Sequence, residues 1–170
     1  MNSYPNTKFH AVKALRRLAL ILFCIGFTVS IAAGELKIGD AVPSFSAQDQ
    51  FGKEFNFQPG LRFLILGFDM GAGKAANLRL SNLGAGWLDK QGAAYVLDIH
   101  TMPAIARVFA FPKMRKYPHR IILAESESFL APFPRQVDRL TVLVLTPQGK
   151  IQEIRFWNPA SESLAARLNP

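Results

Sequence analysis

Short runs of consecutive apolar residues, separated by helix-patterned segments, constrain the fold of this chain more than any other feature. Residues 63–66 (FLIL) and 93–99 (AAYVLDI) are typical of strands buried on both faces of a sheet. Between them, residues 75–91 carry apolar side chains at helical spacing: Ala76, Leu80, Leu83, Trp87 and Leu88. A third strand is predicted at residues 119–124 (HRIILA). Strand–helix–strand units of this kind predict parallel pairing with right-handed crossovers.

A second helix is predicted between the second and third strands. It enters at Pro103, a residue tolerated in the first turn of a helix, and Pro112 is expected to break it. Its apolar stripe consists of Ile105, Val108 and Phe109.

The C-terminal part of the chain predicts a hairpin and a last helix. Residues 141–145 and 151–157 are joined by TPQG, in which Pro and Gly occupy favoured turn positions. Asn158 and Pro159 then precede a helix predicted at residues 160–168. The whole pattern predicts an α/β fold, with a central mixed sheet flanked by helices.

The first 33 residues have the composition of an export signal. Residues 1–17 contain no acid and four cationic side chains: Lys8, Lys13, Arg16 and Arg17. The next 16 residues are mostly apolar and end in small residues, which predicts cleavage after Ala32, Ala33 or Gly34. An uncleaved anchor is the alternative, although a membrane-spanning helix needs about 20 apolar residues. We expect a periplasmic protein in which residues 34–170 form a single domain.

Charge and cysteine content exclude several classes of function. Four of the 20 Lys and Arg, and none of the 12 Asp and Glu, lie in the first 33 residues, so residues 34–170 carry a net charge of +4 rather than +8. That excess predicts neither a nucleic-acid-binding nor a polybasic membrane-binding protein, and membrane association is expected only if the N-terminal segment stays attached. Cys24 is the only cysteine and lies in that segment, so the domain has no thiol, disulfide or thiolate metal ligand.

Three segments together suggest a known family. They are IGDAVPSFSAQDQFGKEFNF at residues 38–57, RFLILGFD at 62–69 and LTVLVLTPQGKIQEIRF at 140–156. These segments resemble the thioredoxin-like superfamily, particularly its peroxiredoxin-like branch (alkyl hydroperoxide reductase/thiol-specific antioxidant). There they correspond to the opening segment, the strand before the active-site loop, and the late strand–turn–strand. The resemblance covers nearly all of residues 34–170 and implies a thioredoxin-like fold.

The chain departs from this family at both halves of the redox site. The resemblance implies a redox cysteine in the loop at residues 69–74, where the helix dipole lowers the thiol pKa, but this loop is DMGAGK. It also implies a cis-proline at about residue 140, which here is Leu140. We therefore expect a redox-inactive scaffold, with thiol–disulfide exchange and peroxide reduction chemically excluded.

The glycine-rich loop is the first candidate for a binding site. It fails the phosphate-loop pattern because Ala75 follows Lys74, and it matches a dinucleotide fingerprint only weakly because Ala76 replaces the third glycine. Free amides at a helix start beside Lys74 would still hold an anion, and the alternative is a structural turn left from a lost active site. With the late loop near Leu140, the predicted contact residues are Asp69, Gly71, Gly73, Lys74 and Arg139.

The densest positive charge lies after the second helix. It is the cluster Lys113, Arg115, Lys116, His119 and Arg120. Such a cluster would suit an acidic partner or an anionic lipid, but a solvated loop is the favoured interpretation.

A metal site is the last possibility, from Asp98 and His100 with Met70 and Met102. Copper carriers on this scaffold use cysteine ligands, which the domain lacks, so a structural histidine is favoured over a metal ligand. Asp98 ends a strand without a predicted partner base or nucleophile. The sequence predicts no metal and no catalytic residue.

Two functions agree with these residues. The first is an exported, redox-inactive binding or interaction module for an unidentified protein or a small anionic ligand, without a cofactor. The alternative is a small oxidoreductase of the type labelled FAD/FMN-containing dehydrogenase, with a bound flavin or nicotinamide. A single thioredoxin-like domain leaves no room for a separate dinucleotide domain, which favours the first. Whether the protein has any enzymatic activity stays open.

Overall fold

Seven strands form one mixed sheet in the computed structural model, which describes residues 34–168. The predicted export signal, residues 1–33, lies outside the described residues. The strands are β1 Ser46–Asp49, β2 Glu54–Asn56, β3 Phe63–Gly67, β4 Ala93–Asp98, β5 Ile122–Ala124, β6 Leu140–Leu145 and β7 Ile151–Trp157. Their order across the sheet is β2-β1-β5-β4-β3-β6-β7.

The centre of the sheet is parallel and its two sides are antiparallel. β3 pairs with β4 and β4 with β5 in parallel, so that Val96 lies opposite Leu66 on one side and Ile122 on the other. The hairpin β6–β7 extends the β3 edge, and the hairpin β1–β2 extends the β5 edge. The predicted mixed sheet and the predicted late hairpin are confirmed.

Helices cover both faces of the sheet, as predicted. In residues 34–168 they are α1 Met70–Leu83, α2 Trp87–Gln91, α3 Ala104–Met114, α4 Glu127–Leu130 and α5 Leu164–Leu168. Buried side chains of α1, α2, α3 and α5 pack on one face, and α4 packs on the other. Within the described part of the chain, none of these helices is long and apolar enough to cross a membrane.

The core has two layers because β3 and β4 are buried on both sides. Ile65 and Leu97 point into the layer beneath α1, while Leu64, Leu66 and Val96 point into the layer beneath α4. Each layer therefore takes alternate residues of the same strands, which explains why FLIL shows no apolar–polar alternation.

The structure corrects the predicted bounds of the first helix. α1 begins at Met70 rather than at residue 75, so the predicted glycine loop is in fact the first turn of the helix. The helix ends at Leu83 because Gly84 has a φ of 87°, and α2 follows as a separate short helix. Glycine disfavours helix by about 1 kcal/mol relative to alanine, which is why a sequence-based boundary falls too late here.

The prediction that Pro112 ends the second helix is wrong. α3 continues through Pro112 to Met114. A proline inside a helix removes the hydrogen bond to the carbonyl four residues earlier, which belongs to Val108. Val108 lies on the exposed side of α3, so its carbonyl is not part of the buried core.

Two other predicted elements are shorter than expected. β5 begins at Ile122 instead of residue 119, and α5 begins at Leu164 instead of residue 160. Asn158 does act near its predicted position, since its side-chain oxygen accepts from the Ala160 amide at 3.0 Å. This bond closes a turn before α5 rather than capping the helix itself.

Candidate functional site

A groove of about 760 Å³ opens between α1 and α3, where β3 and β4 end. Most of its wall is apolar, with large side chains from both helices and both strand ends: Phe68, Met70, Leu97, Met102, Phe109 and Met114. Its polar lining consists of Asp69, Lys74, Asn77, Asp98, Thr101, Lys113 and Tyr117. Binding sites for small ligands have this size range and this mixture of a large apolar wall with few polar groups. We call this site the α1–α3 groove.

Helical spacing explains how each wall presents its residues. Met70, Lys74 and Asn77 are four and three positions apart, so they lie on one side of α1. Ala106 and Lys113 are seven positions apart on α3 and face the groove from the opposite wall. α1 follows β3 and α3 follows β4, and these two strands are parallel. The two helices therefore run in the same direction.

The start of α1 is capped from within the protein. The Asp69 carboxylate accepts from the Ala72 amide at 2.7 Å, and the Asp69 carbonyl accepts from the Gly73 amide at 3.0 Å. An Asp in this position stabilises a helix through both the hydrogen bond and the helix dipole. The predicted anion site at these amides therefore already holds a protein carboxylate, and Lys74 lies one helical turn further along.

The two glycines of the predicted site have different environments. A Cβ on Gly73 would lie 2.6 Å from Cδ1 of Leu97, so any larger residue here would require the Leu97 side chain or the helix to move. Gly71 is exposed, and a Cβ there would make only an ordinary contact, at 3.4 Å from the Asp69 carboxylate. Gly73 therefore serves the packing of α1 on the sheet, whereas Gly71 has no steric reason to be glycine.

The structure does not bring Arg139 to the groove. Its guanidinium lies 3.5 Å from the carboxylate of Glu162, which also binds Arg167 at 2.7 Å. Hydrogen bonding from Arg167, with the Asn158 amide, lowers the pKa of Glu162. Of the predicted contact residues, Asp69 and Lys74 line the groove, while Arg139 stabilises the C-terminal segment.

Beneath the groove lies a small polar floor that sequence reasoning missed. Asn77 accepts from Nε2 of His119 at 2.9 Å, and both residues are buried. Burial lowers the pKa of His119 to about 4, so the imidazole is neutral at pH 7. Its Nδ1 and the hydroxyl of Tyr95 have no partner within residues 34–168, and burial raises the pKa of Tyr95. The one sequence signal for this polar floor was Asn77, which directly follows a residue of the apolar stripe of α1.

The second histidine of the domain forms a pair with Asp98. Nδ1 of His100 lies 2.7 Å from the Asp98 carboxylate, which also accepts from the His100 amide at 2.9 Å. Asp98 lines the groove together with Met70 and Met102. Among the described residues, no group of three His, Cys, Asp or Glu side chains lies close enough to hold a metal ion.

The residues of the predicted basic cluster have different partners and different burial. Arg115 donates to the carbonyl of Gln50 at 3.0 Å, and Arg120 forms a 2.9 Å ion pair with Asp49, both in the β1–β2 hairpin. Burial alone would raise the pKa of Asp49, but the Lys53 and Phe51 amides and Arg120 together lower it. His119 is buried, so these residues do not form one continuous cationic surface.

Comparison with solved structures identifies the architecture. Peroxidoxin BcpB from Mycobacterium tuberculosis is similar at 19% identity, with 79% of this chain and 94% of that chain covered and a TM-score of 0.51. A peroxiredoxin-like protein from Aquifex aeolicus is similar at 11% identity, with 79% and 85% covered and a TM-score of 0.54. The chain has a thioredoxin-like fold. The thioredoxin domain of a thiol-disulfide oxidoreductase from Bacteroides vulgatus gives a similar result, at 12% identity, with 79% and 100% covered and a TM-score of 0.51.

The predicted thioredoxin-like fold is thus confirmed, although no protein-family model and no curated protein matches the chain. The resemblance to the peroxiredoxin-like branch implies a redox cysteine at the start of α1. Here that start is Asp69 and Met70, and none of residues 34–168 is cysteine. Leu140, at the position where the resemblance implies a cis-proline, is the first residue of β6 and is fully buried.

Proposed function

We propose that this protein is an exported, redox-inactive binding module that uses the α1–α3 groove to hold its ligand or partner. The thioredoxin-like fold supplies the scaffold, and the groove lies beside residues 69–74, where the family resemblance implies a redox site. The groove takes the place of the surface that the sequence predicted around Arg139.

One observation carries this proposal. Four large apolar side chains at the groove and on the outer side of α3 are 63–74% exposed: Met70, Ile105, Val108 and Phe109. Soluble proteins rarely leave such side chains grouped in contact with water unless another molecule covers them. A binding role explains the grouping, because covering these side chains gives binding its hydrophobic driving force.

The absence of thiol chemistry supports a binding role over a redox role. Thiol–disulfide exchange requires a thiolate, and residues 34–170 contain no cysteine. The Asp98–His100 pair has the geometry of a general base held by a carboxylate. Within the described residues, however, no hydroxyl or thiol nucleophile is hydrogen-bonded to this imidazole. We therefore propose no catalytic residue. Export is supported by the charged and then apolar N-terminal segment.

The test uses protein isolated from the extracytoplasmic fraction of its native cells. Native mass spectrometry should show a bound species that is lost under denaturing conditions, and the denatured mass should correspond to a chain beginning near residues 33–35. The variant Phe109→Ser should lose the bound species. The control Val137→Ser, at a side chain 87% exposed and outside the groove lining, should retain it.

Two results would contradict the proposal. Protein that carries no bound species and associates with no partner at its native concentration would argue against any binding role. A yellow protein with a flavin absorption spectrum would instead support an oxidoreductase. The redox part is tested separately, because the purified protein should not accelerate insulin reduction or peroxide consumption above the background rate.

A further inference from the structure

The charged groups that line the α1–α3 groove differ in whether they already have a partner. Asp69 caps α1 and Asp98 is the last residue of β4, and both carboxylates are already bonded, to the Ala72 amide and to His100. The two cations of the lining are Lys74 on α1 and Lys113 on α3.

Neither lysine has a carboxylate partner in the described part of the chain. The ion pairs found there involve histidine and arginine, and none involves Lys74 or Lys113. The pair therefore provides six N–H donors on two flexible stems, one on each of the helices that line the groove. An anion in the groove would gain charge-assisted hydrogen bonds from these donors.

Asn77 provides a third, independent donor at the same place. Its side chain is only 4% exposed and lines the groove three residues beyond Lys74. Its carbonyl oxygen is already used by His119. The NH2 group is thus what Asn77 offers to the groove.

The rest of the groove suits an unbranched apolar chain. All three methionines of the described residues, Met70, Met102 and Met114, line it together with Phe109. Methionine side chains adapt to flexible apolar ligands because they are unbranched and polarisable. A volume of about 760 Å³ is enough for one acyl chain with a small head group.

From these contacts we infer that the groove binds the carboxylate of a long-chain fatty acid, with Lys74, Lys113 and Asn77 around the head group and the methionines and Phe109 along the chain. This inference rests on the proposed binding function and specifies its ligand. A single carboxylate matches the pair of lysines and the amide in charge and in the number of acceptors.

The experiment is titration calorimetry of the protein with dodecanoate below its micelle concentration, compared with dodecyltrimethylammonium, which has the same chain and the opposite charge. We expect dodecanoate to bind at least about tenfold more tightly, as loss of charge-assisted bonds implies. The double variant Lys74→Gln/Lys113→Gln should lose that preference and leave dodecyltrimethylammonium binding unchanged. The matched control Lys116→Gln, an exposed lysine outside the groove lining, should keep it.

Phe109→Ser tests the chain-binding part of the groove. It should weaken the binding of both amphiphiles, and because Phe109 is exposed the variant is expected to fold normally. Equal affinity for the two amphiphiles, or no binding of dodecanoate, would overturn the inference. So would sedimentation of the wild-type protein as a dimer that Phe109→Ser converts to a monomer, since a second copy would then cover the groove.

Failure of the ligand class is distinguishable from failure of the binding function. If natively isolated protein carries a bound species that Phe109→Ser releases, but dodecanoate does not bind, the fatty-acid inference is wrong and the binding function stands. If the native protein is empty and dodecanoate also fails to bind, both proposals are wrong.

Discussion

Both faces of the sheet have a buried core, but only one of them is covered by a long helix whose own apolar side chains are mostly exposed. On the face beneath α4, five phenylalanines pack into one another, with the rings of Phe45 and Phe129 4.3 Å apart and those of Phe45 and Phe57 5.3 Å apart. On the opposite face, α1 is packed on the sheet, but Phe109 of α3 is 74% exposed. We call these the closed face and the open face.

The difference shows that apolar composition alone does not close a surface. The closed face is covered by three separate segments: the chain before β1, the β1–β2 hairpin and the region of α4. On the open face, α3 contacts the core mainly through Met114, Ala110 and Phe111, and no described segment lies over its outer side. The outer side of α3 therefore leaves apolar surface exposed on the open face, although both faces contribute buried side chains to the core.

The largest expected effect contrasts one phenylalanine from each face. Phe133→Ala should lower the free energy of unfolding by about 3–5 kcal/mol, because Phe133 is buried and its removal leaves a cavity. Phe109→Ala should change it by less than about 0.5 kcal/mol, because that ring is already in water. Urea unfolding of the two variants measures both values. Similar losses for both would show that α3 is covered in solution.

The two glycines at the start of α1 compare a buried with an exposed position on the open face. Gly73→Ala should destabilise the protein by about 1–3 kcal/mol, because its Cβ would lie 2.6 Å from Leu97. Gly71→Ala should stabilise it by up to about 1 kcal/mol, because Gly71 is an exposed helical position. Thermal unfolding of both variants gives the sign of each effect. A destabilising Gly71→Ala would contradict the helical assignment of this turn.

The polar floor of the open face should make stability depend on pH. The pKa of His119 is lowered by burial from about 6.5 to about 4, so the folded state binds its proton less readily than the unfolded state. Stability is therefore full above pH 6.5 and falls as the pH drops from 6.5 towards 4. Between pH 7 and pH 5 the loss should be about 2 kcal/mol.

Urea unfolding at several pH values measures this loss, with His119→Gln as the comparison. The variant should be less stable at pH 7 but should show a flatter profile between pH 7 and pH 5. The Asp49 carboxylate has a lowered pKa and titrates below this range, so it contributes to both proteins only at more acidic pH. An equally steep profile in the variant would assign the pH dependence to another group.

The smallest expected effect concerns the two helices that form the groove. α1 has a side-chain cap from Asp69, whereas α3 begins after Pro103 without one. Asp69→Ala should destabilise the protein by about 1 kcal/mol, while Asp69→Asn should retain most of the stability because asparagine also caps a helix. Thermal unfolding distinguishes the two. Equal losses would show that the charge of Asp69, and not its hydrogen bond, stabilises α1.

Much of the fold could be predicted from local sequence, but the candidate site could not. The buried strands follow from the uninterrupted apolar runs, and the late hairpin follows from TPQG, because these patterns act over a few residues. The start of α1 was misplaced because glycine has a poor helix propensity, and that propensity is overridden here by packing of Gly73 against Leu97. Asn77 and Tyr95 were missed because nothing in their local sequence distinguishes a groove floor from an ordinary core.

By itself, the sequence determined the order of the main strands and helices from β3 onward, without α4 or a separate α2, together with the parallel centre of the sheet and the absence of cysteine from residues 34–170. Only the tertiary structure decided that Ile105, Val108 and Phe109 are exposed, and that Arg139 pairs with Glu162 instead of joining the groove. The physical reason is that periodicity reports which side of a helix is apolar. Whether that side is buried depends on which other segments of the chain lie over it.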